Sequence, residues 1–116
     1  MSLNEWSEQI VIAETGEEPS FSEDMSGLMS IVDDAERGER EMPDVVVNLA
    51  EVEYLNSSNI AQLLRLRKRV NTAGRNMRIC AVEDQVWGVL MITGLDKIFD
   101  FTDDVTTALA SLQLTD

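Results

Sequence analysis

The sequence predicts an α/β domain with a mostly parallel central sheet of roughly four to five strands and about four helices. Strand-like and helix-like apolar patterns alternate along the whole chain. One strand-like run, "DVVVNLA" at residues 44–50, is apolar without alternation, as expected of a strand covered on both faces. The stretches between successive strand-like runs are long enough for helices, so parallel pairing with right-handed crossovers follows.

The elements follow in order. "QIVIA" (9–13) is a β-branched run closed by the turn-like "TGEEP", and it reads as the first strand. In "SFSEDMSGLMSIVDDAERGER", Met25, Leu28, Met29, Val32 and Ala35 recur at helical spacing. Ser20 or Ser22 is the expected cap of that helix, Glu23 and Asp24 suit its positive end, and Gly38 its stop. The central strand lies after Pro43. A second helix is expected from about Ser57 to Ala73, with Ile60, Leu63, Leu64, Leu66 and Val70 inward, Arg65, Arg67, Lys68 and Arg69 outward, and Gly74 past its end. "NMRICAV" reads as a strand, "EDQVWGVLMITG" as a third helix and "KIFDF" as a short strand. "TDDVTTALASL" reads as a last helix with Thr102 as N-cap and Asp103 and Asp104 in its first turn.

At 116 residues and 13.0 kDa, with no linker, repeat or low-complexity segment, the chain reads as one domain over residues 1–116. The hydrophobic fraction is 44% but includes only three Phe, two Trp and one Tyr, so the core must be aliphatic. The net charge of −13 is unevenly spread: residues 1–53 hold 15 of the 22 acidic groups and 2 of the 9 basic ones. Such a field repels nucleic-acid phosphate and anionic lipid, so no nucleic-acid partner is expected. No apolar run reaches the ~18 residues of a membrane span, and "MSLNEWSEQI" lacks the basic-then-apolar order of a signal peptide. The chain therefore reads as cytoplasmic, without direct membrane insertion. Its single Cys80 reads as a small buried hydrophobe.

The absence of histidine removes the commonest general base and most transition-metal sites. No phosphate-cradling glycine motif follows any strand. The carboxylate pairs Glu17 and Glu18, Glu23 and Asp24, Asp33 and Asp34, and Asp103 and Asp104 read as helix first turns and solvated faces, because calcium-loop spacing fails from Asp33. No metal, cofactor or catalytic residue is expected. The basic face of the second helix reads as solvated, or as a surface to which an acidic partner could be steered. There remains "NSSN", Asn56 to Asn59, between the central strand and the second helix. Asn56 or Ser57 can cap that helix. A serine hydroxyl placed there is also exposed at a location suited to a phosphate, whose oxygens can accept from the free N–H groups.

These residues resemble the STAS domain family, whose best-known members are bacterial anti-sigma factor antagonists. The resemblance is strongest over residues 44–112. "VVVNLAEVEYLNSSNIAQLL" looks like the family's strand followed by a D-S-S/T-G switch motif opening a helix. "VNTAGRNMRICAV" is similar to its helix end and next strand, and "VLMITGLDKIF" to its third helix and following strand. Over residues 1–43 it is weaker, with "TGEEPSFSED" in place of the family's G-E-L-D loop, and Asn56 and Asn59 stand where the family has Asp and Gly.

The resemblance implies a STAS-like fold and a bacterial regulator of transcription that is not an enzyme. It implies a partner that is both anti-sigma factor and serine kinase, phosphorylation at Ser57 with Ser58 as second choice, and partner binding through Asn56, Ser57, Ser58 and Asn59. The alternative is a STAS docking subunit of a larger signalling or transport assembly that is never phosphorylated. An enzyme using Ser57 or Ser58 as nucleophile would lack a base, since no histidine exists and no lysine lies near in sequence.

Overall fold

A computed structural model describes residues 3–114, so the ends of the expected 1–116 domain, residues 1–2 and 115–116, lie outside the described residues. The chain runs β1 (Leu3–Glu5), β2 (Ile10–Glu14), α1 (Ser20–Glu36), β3 (Asp44–Asn48), α2 (Ser57–Thr72), β4 (Met77–Cys80), α3 (Asp84–Ile92), a 3₁₀ turn (Leu95–Lys97), β5 (Phe101–Thr102) and α4 (Val105–Leu114). The five strands lie side by side in chain order. β1 pairs antiparallel with β2, and β2, β3, β4 and β5 pair in parallel.

The alternation of side chains along each strand decides what covers each face. Val11, Ala13, Val45, Val47, Met77 and Ile79 meet α1, α2 and α3 in the larger core. Ile10, Ile12, Val46 and Cys80 point the other way, onto Ala108 and Leu112 of α4. β3 is therefore buried on both faces, which is why its sequence shows no alternation. Burial, reinforced by the carboxylates of Asp104 and Glu14, pushes the Cys80 thiol up to about 11, so it stays neutral and inert. The chain leaves α1 and α2 through Gly38 and Gly74, both at φ 79°, where a side chain would be strained.

Several local expectations need correcting. β1 is an addition to the expected strands: it carries no apolar alternation of its own and holds on through Leu3, which packs over Gly27 of α1. Neither Ser20 nor Ser22 caps α1. Pro19 occupies the cap position, and the Glu18 carboxylate accepts from the Ser22 N–H at 2.8 Å instead. In place of a strand over "KIFDF", Leu95–Lys97 winds into a 3₁₀ turn and only Phe101–Thr102 pairs with β4. Thr102 belongs to that strand, so the carboxylate before α4 that receives the Thr107 N–H, at 2.7 Å, is that of Asp104. Arg69 is not part of an open basic face: it turns onto α1, bonding Asp33, Glu36 (2.5 Å) and the Met29 sulfur (3.3 Å).

Candidate functional site

Because β2 to β5 are parallel, the loops that follow them gather at one edge of the sheet, the place where open α/β sheets present their sites. The loop from β3 to α2 is held there by Leu49, Val52 and Leu55, each buried and three residues apart. That spacing turns Ala50, Glu51, Glu53 and Tyr54 outward, and Tyr54 remains 65% exposed. The neighbouring loop from β2 is tied in by Thr15, whose N–H and hydroxyl both donate to the Asn48 carbonyl, at 3.2 and 3.0 Å. Glu17 accepts from the Glu53 N–H.

α2 opens on a reciprocal cap. Asn56, extended at φ −89° and ψ 173°, accepts through Oδ1 from the Asn59 N–H at 2.8 Å. Asn59 Oδ1 accepts from the Asn56 N–H at 3.1 Å, a capping box built from two asparagines. Asn59 is 2% exposed, and its Nδ2 donates to Glu18 at 3.3 Å and Gln62 at 3.4 Å. Glu18 also accepts from the Ser22 hydroxyl at 2.7 Å, and Gln62 donates to that same oxygen at 3.4 Å. The Ser22 hydroxyl and N–H hold the Glu18 carboxyl below its usual range; desolvation opposes them, and Asn59 adds the least of the lowering. The start of α1 and the start of α2 are thus one hydrogen-bonded unit.

Of the four motif residues, Ser57 and Ser58 are exposed, Asn56 is half-buried and Asn59 is inward. The serines occupy the first two positions of α2. Among the described residues their backbone N–H groups have no acceptor, leaving the positive end of the helix open beside the hydroxyls. The resemblance implies that Asn59 takes part in partner binding; in the fold its side chain is turned inward and closes the cap. The link to Glu18, 41 residues away in the chain, was not foreseen either. An Asn-x-x-Asn spacing at a helix start is the one signal that could have disclosed the reciprocal cap.

The outward cations of α2 lie farther along the helix. Arg65 lines a groove of about 360 Å³ between α1 and α2, together with Met25, Met29, Gln62 and the ion-paired Arg69 and Asp33. Among the described residues no group of His, Cys, Asp and Glu could hold a metal ion, and no helix is long and apolar enough to cross a membrane.

Comparison with known proteins places this arrangement. An anti-sigma F factor antagonist of Paenibacillus polymyxa is 29% identical over 75 residues, which are 65% of this chain and 64% of that protein. The alignment thus takes in a little under two thirds of the relative's own length. The STAS domain protein of Planctomyces limnophilus superposes with a TM-score of 0.78 at 19% identity, covering 96% of each chain. The Bacillus cell fate determinant SpoIIAA, solved in its phosphorylated form, superposes with a TM-score of 0.69 at 10% identity, covering 94% of this chain and 96% of its own. At such identities the structural matches speak for the fold. The sequence model of the STAS domain matches residues 4–108, nearly the whole of the described fold, and the chain belongs to the STAS domain family.

Proposed function

We propose that the protein is a non-catalytic regulatory module of the anti-sigma factor antagonist kind, cytoplasmic, binding an anti-sigma factor that is also a serine kinase and switched by phosphorylation of Ser57. The observation that carries this reading is the pairing of an exposed Ser57 hydroxyl with unpartnered N–H groups at the first turn of α2. The name of the Paenibacillus polymyxa relative supports the partner class.

The chemistry asked of this chain is small. Ser57 Oγ bonds to the γ-phosphorus of ATP as the bond to the bridging oxygen breaks and ADP leaves. The hydroxyl proton goes to a base that the kinase brings, because the chain has no histidine and Glu18 is engaged in the cap network. The product adds roughly two negative charges, and its oxygens can accept from the Ser57 and Ser58 N–H groups. The helix is thus preserved while a neutral hydroxyl becomes strongly anionic. Beside Glu51, Glu53 and Glu17 the added charge opposes docking of any acidic or nucleotide-bearing surface.

The experiment is to incubate the protein with its cognate kinase and ATP and weigh it intact. One phosphoryl mass, lost in Ser57→Ala, is the expected result. No mass gain, or a gain that survives in Ser57→Ala, sinks the assignment. One observation favours a second reading, an unphosphorylated docking subunit: both motif asparagines are spent on the cap, so no carboxylate adjoins Ser57 within the motif. In that case the partner co-purifies with the unmodified chain and binds Ser57→Ala as well as the native protein, while Ser57→Asp is released.

A further inference from the structure

A second feature of the same edge lies apart from Ser57. Between the loop after β4 and the loop after β5 is a crevice of about 260 Å³, lined by Ala81, Val82, Trp87, Phe101, Thr102 and Asp103. It falls below the roughly 300–1,000 Å³ of pockets that hold small molecules, and suits a single side chain. Trp87 and Phe101 meet edge to face, with centroids 4.9 Å apart and planes at 87°, which fixes both rings as walls. Ala81, also in the lining, takes a left-handed φ of 58° directly after β4, and both rings stay half-buried.

The charged residue in the lining of this crevice is acidic. Asp103 forms part of its wall, and Glu83 and Asp84 stand at the start of α3. Among the described residues none of these three carboxylates has an ion pair or a side-chain hydrogen bond, whereas Asp104 is committed to the Thr107 N–H. No lysine or arginine occurs in residues 79–96 or 98–114. Arg78, just before that stretch, is drawn away to Ser111 at 3.1 Å and Asp100 at 3.5 Å. Aromatic walls beside an unpaired carboxylate are complementary to a flat cation that can stack and donate in the same pose, which describes guanidinium better than ammonium.

We infer that this crevice receives an arginine side chain of a protein partner, with the guanidinium against Trp87 and Phe101 and bonded to Asp103. It is a contact independent of the Ser57 chemistry. The α3 and α4 N-termini do not make it an anion site: Asp104 already accepts from the first turn of α4, and Glu83 and Asp84 place negative charge at the start of α3.

The test is an amide-shift NMR titration of the intact chain with acetyl-Gly-Arg-Gly-amide, and with the same peptide carrying citrulline, which keeps the shape and removes the charge. Saturable shifts confined to the Trp87 indole and the Ala81, Val82, Thr102 and Asp103 amides are expected. Affinity should be about fivefold lower for the citrulline peptide and for Asp103→Asn. Ser57→Ala should bind the arginine peptide like the native chain, so failure of phosphorylation and failure of this contact are read separately. The inference is overturned by equal binding of the citrulline peptide, by unchanged affinity in Asp103→Asn, or by unsaturated shifts spreading to Glu17 and Glu53. It is also overturned if the same shifts arise with protein concentration alone, since a second copy would then be the occupant.

Discussion

Asn56 and Asn59 exchange hydrogen bonds across the first turn of α2, each side-chain oxygen accepting from the other's backbone N–H. Two residues that interrupt the family's motif are therefore the ones that hold its serines in place. Asn56→Ala should cost about 1 kcal/mol, the usual value of an N-cap. Asn59→Ala should cost more, about 1–3 kcal/mol, because it strands the half-buried Asn56 N–H and takes a donor from Glu18. Asn56→Asp keeps the acceptor and adds charge at the positive end of the helix, so it should match or exceed the native stability. Urea midpoints at constant slope measure all three.

Arg69 clamps α2 to α1 through Asp33 and Glu36, and its side chain is 29% exposed. Arg69→Met retains most of the stem's packing and removes the ion pairs. The expected loss is about 1 kcal/mol at low salt, shrinking as salt is raised to 1 M. A thermal melt of both proteins at two salt concentrations checks it; a salt-independent difference would assign the effect to packing.

The acid limb of stability should be set by carboxylates at helix starts and clamps. Glu18 is held low by Ser22 and then Asn59, Glu36 by its hydrogen bond to Arg69, and Asp104 by Thr107. A carboxylate with a lowered folded value binds fewer protons than its unfolded counterpart. Its contribution is thus present above the ordinary carboxylate range, near pH 4 to 5, and is lost as pH falls from there through the lowered folded value. The melting temperature should drop as pH falls below about 5, less steeply in Glu18→Gln, with differential scanning calorimetry as the readout.

Ala81 holds a backbone conformation that glycine adopts without strain. A non-glycine residue there costs about 1–2 kcal/mol, against about 0.5–1 kcal/mol for the freedom that glycine loses on folding. Ala81→Gly should therefore raise stability by about 0.5 kcal/mol, seen as a higher urea midpoint. A clear loss would mean that the methyl group's packing in the crevice outweighs the relief of strain.

What could be read from the sequence was what rests on local pattern. The continuous "VVV" of β3, the spacing of Met25, Leu28 and Val32, and Gly38 and Gly74 each report the burial or backbone angle at their own position, and the structure agrees with them. β1 could not be read because three residues with one half-buried side chain carry no periodicity. "KIFDF" misled because Phe99 and Phe101 alternate like a strand, while the turn after Gly94 carries the chain past the sheet until Phe101. At the site, the serines and the helix start were legible. The inward turn of Asn59 was not, because it depends on Glu18 and Gln62, which a linear reading does not place beside it.

The strands stand side by side in the order in which they are made, so each can be laid against its neighbour as the chain emerges, without waiting for a distant segment. The far face is different. Ile10, Ile12 and Val46 are covered by Ala108 and Leu112, which follow every strand of the sheet along the chain. A nascent chain stalled before residue 105 would carry all five strands with one bare oily side, a natural target for chaperone or protease, until α4 arrives to close it.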